Sequence, residues 1–481
     1  FTVMKKITLL FSILFFWVSL IKIEAQNLVS ASLLGTKNQS QIQFILNAYG
    51  WSTSNMNINS VKAYKITYNT LDINGNTTVA SGAVYIPQIN CDSMPMVAYL
   101  HGTEFNKNNV PSTYDYQGQG LLFSANGYIT VMPDYLGLGS NPGIHPYLHW
   151  ETEASATVDL IRAVREFLTD SLQKTDNKEL FLAGYSQGGH SAMAVHKYIS
   201  VNALQQEFNV VASAPMSGPY SLSYAQFNLI FDGDSSFYHP EFLPYVLASF
   251  KMAYNNLYTN YDEYYDAPYD SLIDAYFTAG TYSNTAWNNM LPTNYYYFVQ
   301  DSVLNNVLSN PNHPIMQDLR LNDLHNWTPN EPVRMLYCSM DSMVSPLNSI
   351  IAADTMNALG SSQAIAKEIN ATGTHETCFT PAMRYALSWF DSLATKCQPN
   401  SIQFLPDTKQ ADFYPNPAKD EILFTSSKIH TIRIFDATGR LVLSEEIRNN
   451  NLKLNLMPGM YIITGENNEN ELLFRKQLII K

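Results

Sequence analysis

The chain has 481 residues, 28 Lys and Arg against 41 Asp and Glu, and a formal net charge of −13. The length suits two or three domains, and a hydrophobic content of 46% excludes a disordered chain and supplies a sizeable core. The acidic balance argues against nucleic acid and an anionic membrane surface as partners, and it leaves the substrate class open.

Residues 1–25 read as a signal peptide: Lys5-Lys6, an apolar run from Ile7 to Ile21, then Ile23-Glu24-Ala25 ahead of Gln26. The run is short for a membrane span, so no stable transmembrane anchor is expected. The mature chain is expected to start near Gln26, outside the cytoplasm, where disulfides persist. The four cysteines, Cys91, Cys338, Cys378 and Cys397, are not spaced as a zinc site.

Residues 61–70 and 77–86 alternate apolar and polar side chains around Asp72-Ile73-Asn74-Gly75-Asn76, which predicts a hairpin. Short apolar runs at 95–100 and 128–132 predict buried strands. Helical spacing of Ala154, Val158, Ile161 and Phe167-Leu168 predicts a helix over 152–171. Further strands are expected at 179–183, 210–214, 333–337 and 366–369, with a helix after the first of these. Strands alternating with helices predict an α/β domain over 26–397, a mostly parallel sheet covered on both faces. Between 219 and 328 the alternation stops and Tyr and Asn crowd in, including Tyr264-Tyr265 and Tyr295-Tyr296-Tyr297. This stretch reads as a cap inserted between two strands. Its tyrosines suit either a substrate cleft or mutual packing. Residues 398–410 read as a linker, and 411–481 as a small all-β sandwich with turns at Asp436-Ala437-Thr438-Gly439 and Met457-Pro458-Gly459.

Gly184-Tyr185-Ser186-Gln187-Gly188 joins a strand to a helix. A serine there is exposed on a crowded turn, which small residues two before and two after relieve, and the helix N-terminus behind it offers free N–H groups. Ser186 is the expected nucleophile. It needs a base, and the base needs an orienting acid, in the chain order serine, acid, histidine. Downstream of Ser186, His190 and His196 lie on the following helix, His239, His313 and His325 in the cap, and His430 in the C-terminal module. His375, in Thr372-Gly373-Thr374-His375, is left as the base. Asp341 is the one carboxylate in the loop after the strand ending at Tyr337 and is expected to hold the imidazole. The oxyanion hole is expected from the N–H groups of Gln187 and of Thr103, in the His101-Gly102-Thr103 turn. His101 reads as a packing residue; His145 and His149 suit loop packing first and the cleft rim second. No metal or organic cofactor is called for.

His101-Gly102-Thr103, Asp134-Tyr135-Leu136-Gly137-Leu138-Gly139, the serine turn, Asp341 and His375 together resemble the secretory lipase (lipase A-like) branch of the α/β-hydrolases. The resemblance covers roughly residues 60–395. It implies the α/β-hydrolase fold, a large cap after the sixth strand, and hydrolysis of carboxylic esters, small or lipidic. The chain departs from the family in the polar, Tyr- and Asn-rich composition of its cap. If the acid and base loops meet, Cys338 and Cys378 are neighbours and form a disulfide, leaving Cys91 with Cys397. Tyr414-Pro415-Asn416-Pro417, Ile434-Phe435-Asp436 and Leu456-Met457-Pro458-Gly459-Met460-Tyr461 resemble the C-terminal sorting domain of type IX secretion cargo. That resemblance implies the type IX machinery as a partner, export across an outer membrane, and release or surface attachment. A serine peptidase on the same fold and a non-catalytic binding protein are the rival readings.

Overall fold

The computed structural model describes residues 27–54, 56–231, 239–279, 283–397, 411–436, 440–468 and 472–481. The expected signal peptide and linker lie outside these residues. The chain divides into two compact units, Phe1–Cys397 and Gln398–Lys481.

The first unit is built on a nine-stranded sheet: β1 (Leu28–Lys37), β2 (Val61–Leu71), β3 (Thr77–Pro87), β4 (Ser93–Leu100), β5 (Ile129–Pro133), β6 (Thr175–Tyr185), β7 (Asn209–Met216), β8 (Val333–Cys338) and β9 (Ala364–Asn370). Its spatial order is β1-β2-β3-β5-β4-β6-β7-β8-β9. β2 and β3 form the expected hairpin, Val61 opposite Pro87 and Leu71 opposite Thr77. From β5 to β9 neighbouring strands run parallel. β1 adds an antiparallel edge strand to β2. It escapes a sequence reading because its exposed and half-buried residues do not alternate. α1 (Gln39–Ala48) lies outside the elements the sequence predicts, although Asn38 and Gln41 form a capping box at its start.

Alternation on the central strands loads both faces of the sheet. Leu180 and Leu182 of β6 enter one core with α3 (Trp150–Leu172) and α4 (Gln187–Val201). Phe181 and Ala183 enter the other, with α1, α2 (Gly118–Ala125) and, at the end of the unit, a long helix over 375–391.

Between β7 and β8 lies the cap: α5 (Phe227–Phe231), α6 (Phe242–Tyr254), α7 (Tyr269–Ala279), α8 (Asn284–Asn288), α9 (Asp301–Ser309) and α10 (Pro314–Leu321). α11 (Leu347–Ala358) and α12 (His375–Asp391) follow β8 and β9. Six of the cap tyrosines take the packing role that the sequence offered as one of two. Tyr245, Tyr258, Tyr264, Tyr265, Tyr276 and Tyr295 are buried with Trp287 and Phe298 in the cap's own core, and Tyr276 stacks on Trp287 at 3.9 Å between ring centres.

The second unit carries β10 (Phe413–Tyr414), β11 (Glu421–Phe424), β12 (Thr431–Phe435), β13 (Leu441–Glu446), β14 (Asn451–Lys453), β15 (Gly459–Glu466) and β16 (Leu472–Ile480). They form two antiparallel sheets, β10-β11-β14 and β13-β12-β15-β16. Ile422, Ile432, Ile434, Ile463 and Leu478 are fully buried in its core.

Candidate active site

Ser186 sits where β6 ends and α4 begins, with φ 61° and ψ −122°. A non-glycine residue adopts this backbone at a cost and keeps it where the surroundings enforce it. Here they do. A Cβ on Gly184 would lie 2.1 Å from the Gly188 carbonyl oxygen, and one on Gly188 would lie 2.0 Å from that of Leu100. The two glycines let β4, β6 and the first turn of α4 close around the serine. The Ser186 N–H is tied to the Met216 carbonyl of β7.

Asp341 lies in the loop between β8 and α11, and His375 is the first residue of α12. They meet at 2.7 Å, Asp341 Oδ2 to His375 Nδ1, both side chains buried. Asp341 Oδ1 accepts from the N–H groups of Met343 (3.0 Å) and Val344 (2.8 Å), so the carboxylate is held by its own loop. The Cys338–Cys378 disulfide joins the end of β8 to the first turn of α12. Cys91 pairs with Cys397. Among the described residues no hydrogen bond joins the Ser186 hydroxyl to His375. Catalytic contacts of this kind commonly tighten only around substrate.

Gly102 lies against the serine: a Cβ there would be 4.0 Å from that of Ser186. The Thr103 hydroxyl bonds the Tyr147 hydroxyl at 2.9 Å. Gln187 opens α4, so its N–H is one of the unpaired donors of a helix start. His101 is a packing residue: Nδ1 faces the Gly102 carbonyl (2.7 Å) and Nε2 that of Asp134 (3.3 Å), and burial lowers its pKa. Asp134 is fully buried and accepts from Ser81 Oγ (2.5 Å) and the Ser112 N–H (2.9 Å), bracing the loops beside the site.

Several buried residues next to the site escaped the sequence reading. Glu153 of α3 meets Gln187, His190 and Ser191 of α4. A Glu in the first turn of a helix reads as a surface acid, and only the packing of α3 on α4 shows otherwise. His145, expected as loop packing, is buried at 2% exposure and faces Gln187. Burial pushes its pKa down to about 4, so it stays neutral.

Ser186 and Gln187 form part of the wall of a cavity of about 970 Å³, its open mouth included. Most of the remaining wall is hydrocarbon: Phe227, Ile230 and Phe231 of α5, Phe242, Leu243, Val246 and Leu247 of α6, Val303, Leu304 and Val307 of α9, Ile315 and Leu319 of α10, with Tyr147 and Gln226 as its polar exceptions. Among the described residues no cap tyrosine lines the cavity. The polar average of the cap sequence hides an apolar inner face.

The strand order and the serine turn are those of the α/β-hydrolase fold. Residues 98–327 match the Alpha/beta hydrolase family, and residues 412–481 match the Secretion system C-terminal sorting domain. The first unit thus has the α/β-hydrolase fold, and the second matches a sorting domain that marks secreted or cell-surface proteins. It is similar to the rice cell wall degrading esterase LipA of Xanthomonas oryzae in a ligand-bound form, with a TM-score of 0.69 and 28% identity over 77% of this chain and 98% of that one. A protein of Legionella pneumophila superposes equally well, with a TM-score of 0.69 and 25% identity over 76% of this chain and 98% of that one. Candida antarctica lipase A in its closed state shares the fold, with a TM-score of 0.57 and 15% identity over 78% of this chain and 84% of that one. No curated protein sequence matches the chain. Among the described residues no helix is long and apolar enough to cross a membrane.

Proposed function

We propose that this protein is an exported serine esterase that cleaves carboxylic esters carrying an aliphatic acyl chain. The observation that carries the reading is the hydrocarbon-walled cavity with Ser186 and Gln187 in its wall, beside the hydrogen-bonded Asp341–His375 pair. An acyl chain of several carbons gains about 0.8 kcal/mol per CH₂ transferred from water to such a wall.

In this mechanism Ser186 Oγ attacks the ester carbonyl carbon while His375 Nε2 takes its proton. The carbonyl oxygen becomes an oxyanion facing the N–H groups of Gln187 and Thr103. The C–O bond to the alcohol breaks, the alkoxide takes the proton from His375, and an acyl-Ser186 ester remains. Water, deprotonated by His375, then releases the acid and restores Ser186. Asp341 keeps Nδ1–H of His375 pointed at itself, so Nε2 is the atom that faces the reaction. No metal or organic cofactor enters these steps. The proposal extends to export: a signal peptide over 1–25, recognition of the C-terminal domain by the type IX machinery, and release or surface attachment of the enzyme.

The test is turnover of p-nitrophenyl esters from acetyl to palmitoyl, with fluorophosphonate labelling. Expected are activity, labelling of one residue, and loss of both in Ser186→Ala. Undiminished turnover in Ser186→Ala sinks the proposal, and an unlabelled, inactive wild type points to a binding protein.

A further inference from the structure

We infer that Glu153 is the positioning residue of the oxyanion site, holding Gln187 directly and Thr103 at one remove; the inference rests on the esterase reading. Glu153 is 1% exposed. Its two oxygens take four hydrogen bonds. Oε1 accepts from Gln187 Nε2 at 2.8 Å and the Leu148 N–H at 3.2 Å, and Oε2 from His190 Nδ1 at 2.9 Å and Ser191 Oγ at 2.7 Å.

Gln187, His190 and Ser191 stand at positions i, i+3 and i+4, on one face of the first turns of α4. One carboxylate therefore grips the helix start whose first N–H is the expected oxyanion donor. The second hydrogen of the Gln187 amide goes to His145 Nε2 at 2.6 Å. His145 can accept there because Nδ1–H is committed to the Leu136 carbonyl at 2.9 Å and burial keeps the ring neutral. The Gln187 side chain is thus fixed at both amide hydrogens, and its backbone N–H is aimed by that anchoring.

The fourth bond reaches the other half of the oxyanion site. Leu148 has φ 56°, a left-handed backbone that a leucine does not adopt unaided. Its N–H is held by Glu153. The preceding residue, Tyr147, places its hydroxyl 2.9 Å from the Thr103 hydroxyl. Glu153 so links α4 to the loop that contacts Thr103.

A buried carboxylate is a costly anchor, and apolar packing would hold α3 on α4 at lower cost. What apolar packing cannot do is fix donors from two segments, α4 and the loop at Leu148, at set distances. Burial raises the Glu153 pKa, while the field and hydrogen bond of His190 and the hydrogen bond of Gln187 lower it; the net shift is downward. The acceptor is therefore a carboxylate at neutral pH.

The experiment measures kcat and KM for p-nitrophenyl butyrate, with the melting temperature, on Glu153→Ala, Glu153→Gln and Gln187→Ala. A loose oxyanion donor lowers transition-state binding and leaves ester binding alone, so Glu153→Ala is expected to lose about 30-fold in kcat with KM within twofold. Glu153→Gln, which keeps an acceptor oxygen, is expected to recover most of that loss. A folded Glu153→Ala with kcat within threefold of wild type overturns the inference, as does a loss carried by KM alone or one that Glu153→Gln does not relieve. If Glu153→Ala does not fold, Gln187→Ala decides: it keeps the backbone N–H, and a fall in kcat of about tenfold at constant KM supports the inference, while kcat within threefold of wild type overturns it. Hydrolysis that is absent, or that survives Ser186→Ala, defeats the esterase reading itself. Hydrolysis that depends on Ser186 but ignores these substitutions defeats this inference alone.

Discussion

The hydroxyl of Tyr185 donates to the backbone carbonyl of His375 at 2.5 Å, and the Tyr185 ring lies against the imidazole with 5.1 Å between centres. The residue before the proposed nucleophile thus holds the residue proposed to activate it. Tyr185 is buried, with Phe379 on its other side at 5.2 Å. Tyr185→Phe keeps the ring and removes the tether. A buried hydrogen bond is worth about 1 kcal/mol, more when a partner is left unpaired. The expected outcome is a fall in kcat of about tenfold with KM unchanged, read from p-nitrophenyl ester kinetics. Unchanged kcat would show that α12 positions His375 without help.

The Cys338–Cys378 disulfide closes a loop with a sequence separation of 40 and stands between the Asp341 loop and the His375 turn. A loop of that size implies about 4 kcal/mol of chain-entropy stabilisation. A Cys338→Ala/Cys378→Ala double variant is expected to unfold at lower denaturant and to lose ester turnover before global unfolding, because the Asp341–His375 contact depends on both loops. Urea titration followed in parallel by fluorescence and activity checks this; coincident curves would show that the disulfide serves the whole unit and not the site.

How far the sequence could be read depends on how local each signal is. The glycines around Ser186 are a local steric requirement, so the turn was legible. The hairpin, the parallel strands and the cap insertion follow from periodicity and its interruption, and the Asp341–His375 contact from chain order. Three things were not legible. β1 has no alternating pattern because it is an edge strand with little buried surface. The inner face of the cap is assembled from several helices, so average composition says little about it. Glu153 becomes a partner of Gln187, 34 residues further along the chain, only when α3 and α4 pack together.

Glu104 follows the Thr103 turn, and burial raises its pKa from 4.5 to about 7, against the hydrogen bond from Asn109. The protonated carboxyl is favoured in the folded state. That stability is present below pH 4.5 and is lost as pH rises through 7. Glu104→Gln cannot ionise and does not suffer the loss. The melting temperatures of variant and wild type are expected to agree near pH 4.5, then diverge until about pH 7.5, the variant ending higher by about 1–2 kcal/mol or a few degrees. Thermal melts at these two pH values and at one between them test it. A constant difference would mean that Glu104 does not titrate in this window.

Acyl selectivity should follow from the cavity wall. Val303 of α9 lines the cavity and is half-buried, so a larger side chain there has room to turn inward without breaking the cap core. Val303→Trp fills space that a hydrocarbon chain would occupy, at a distance in sequence from every residue proposed for the chemistry. Acetyl and butyryl esters should turn over within about twofold of wild type, since they need little of the cavity. Esters of eight carbons and more should lose kcat/KM by about tenfold or more, because each CH₂ denied burial forfeits about 0.8 kcal/mol. The measurement is the ratio of octanoyl to acetyl kcat/KM in both proteins. An unchanged ratio would mean that the acyl chain lies elsewhere and that the aliphatic cavity receives the alcohol.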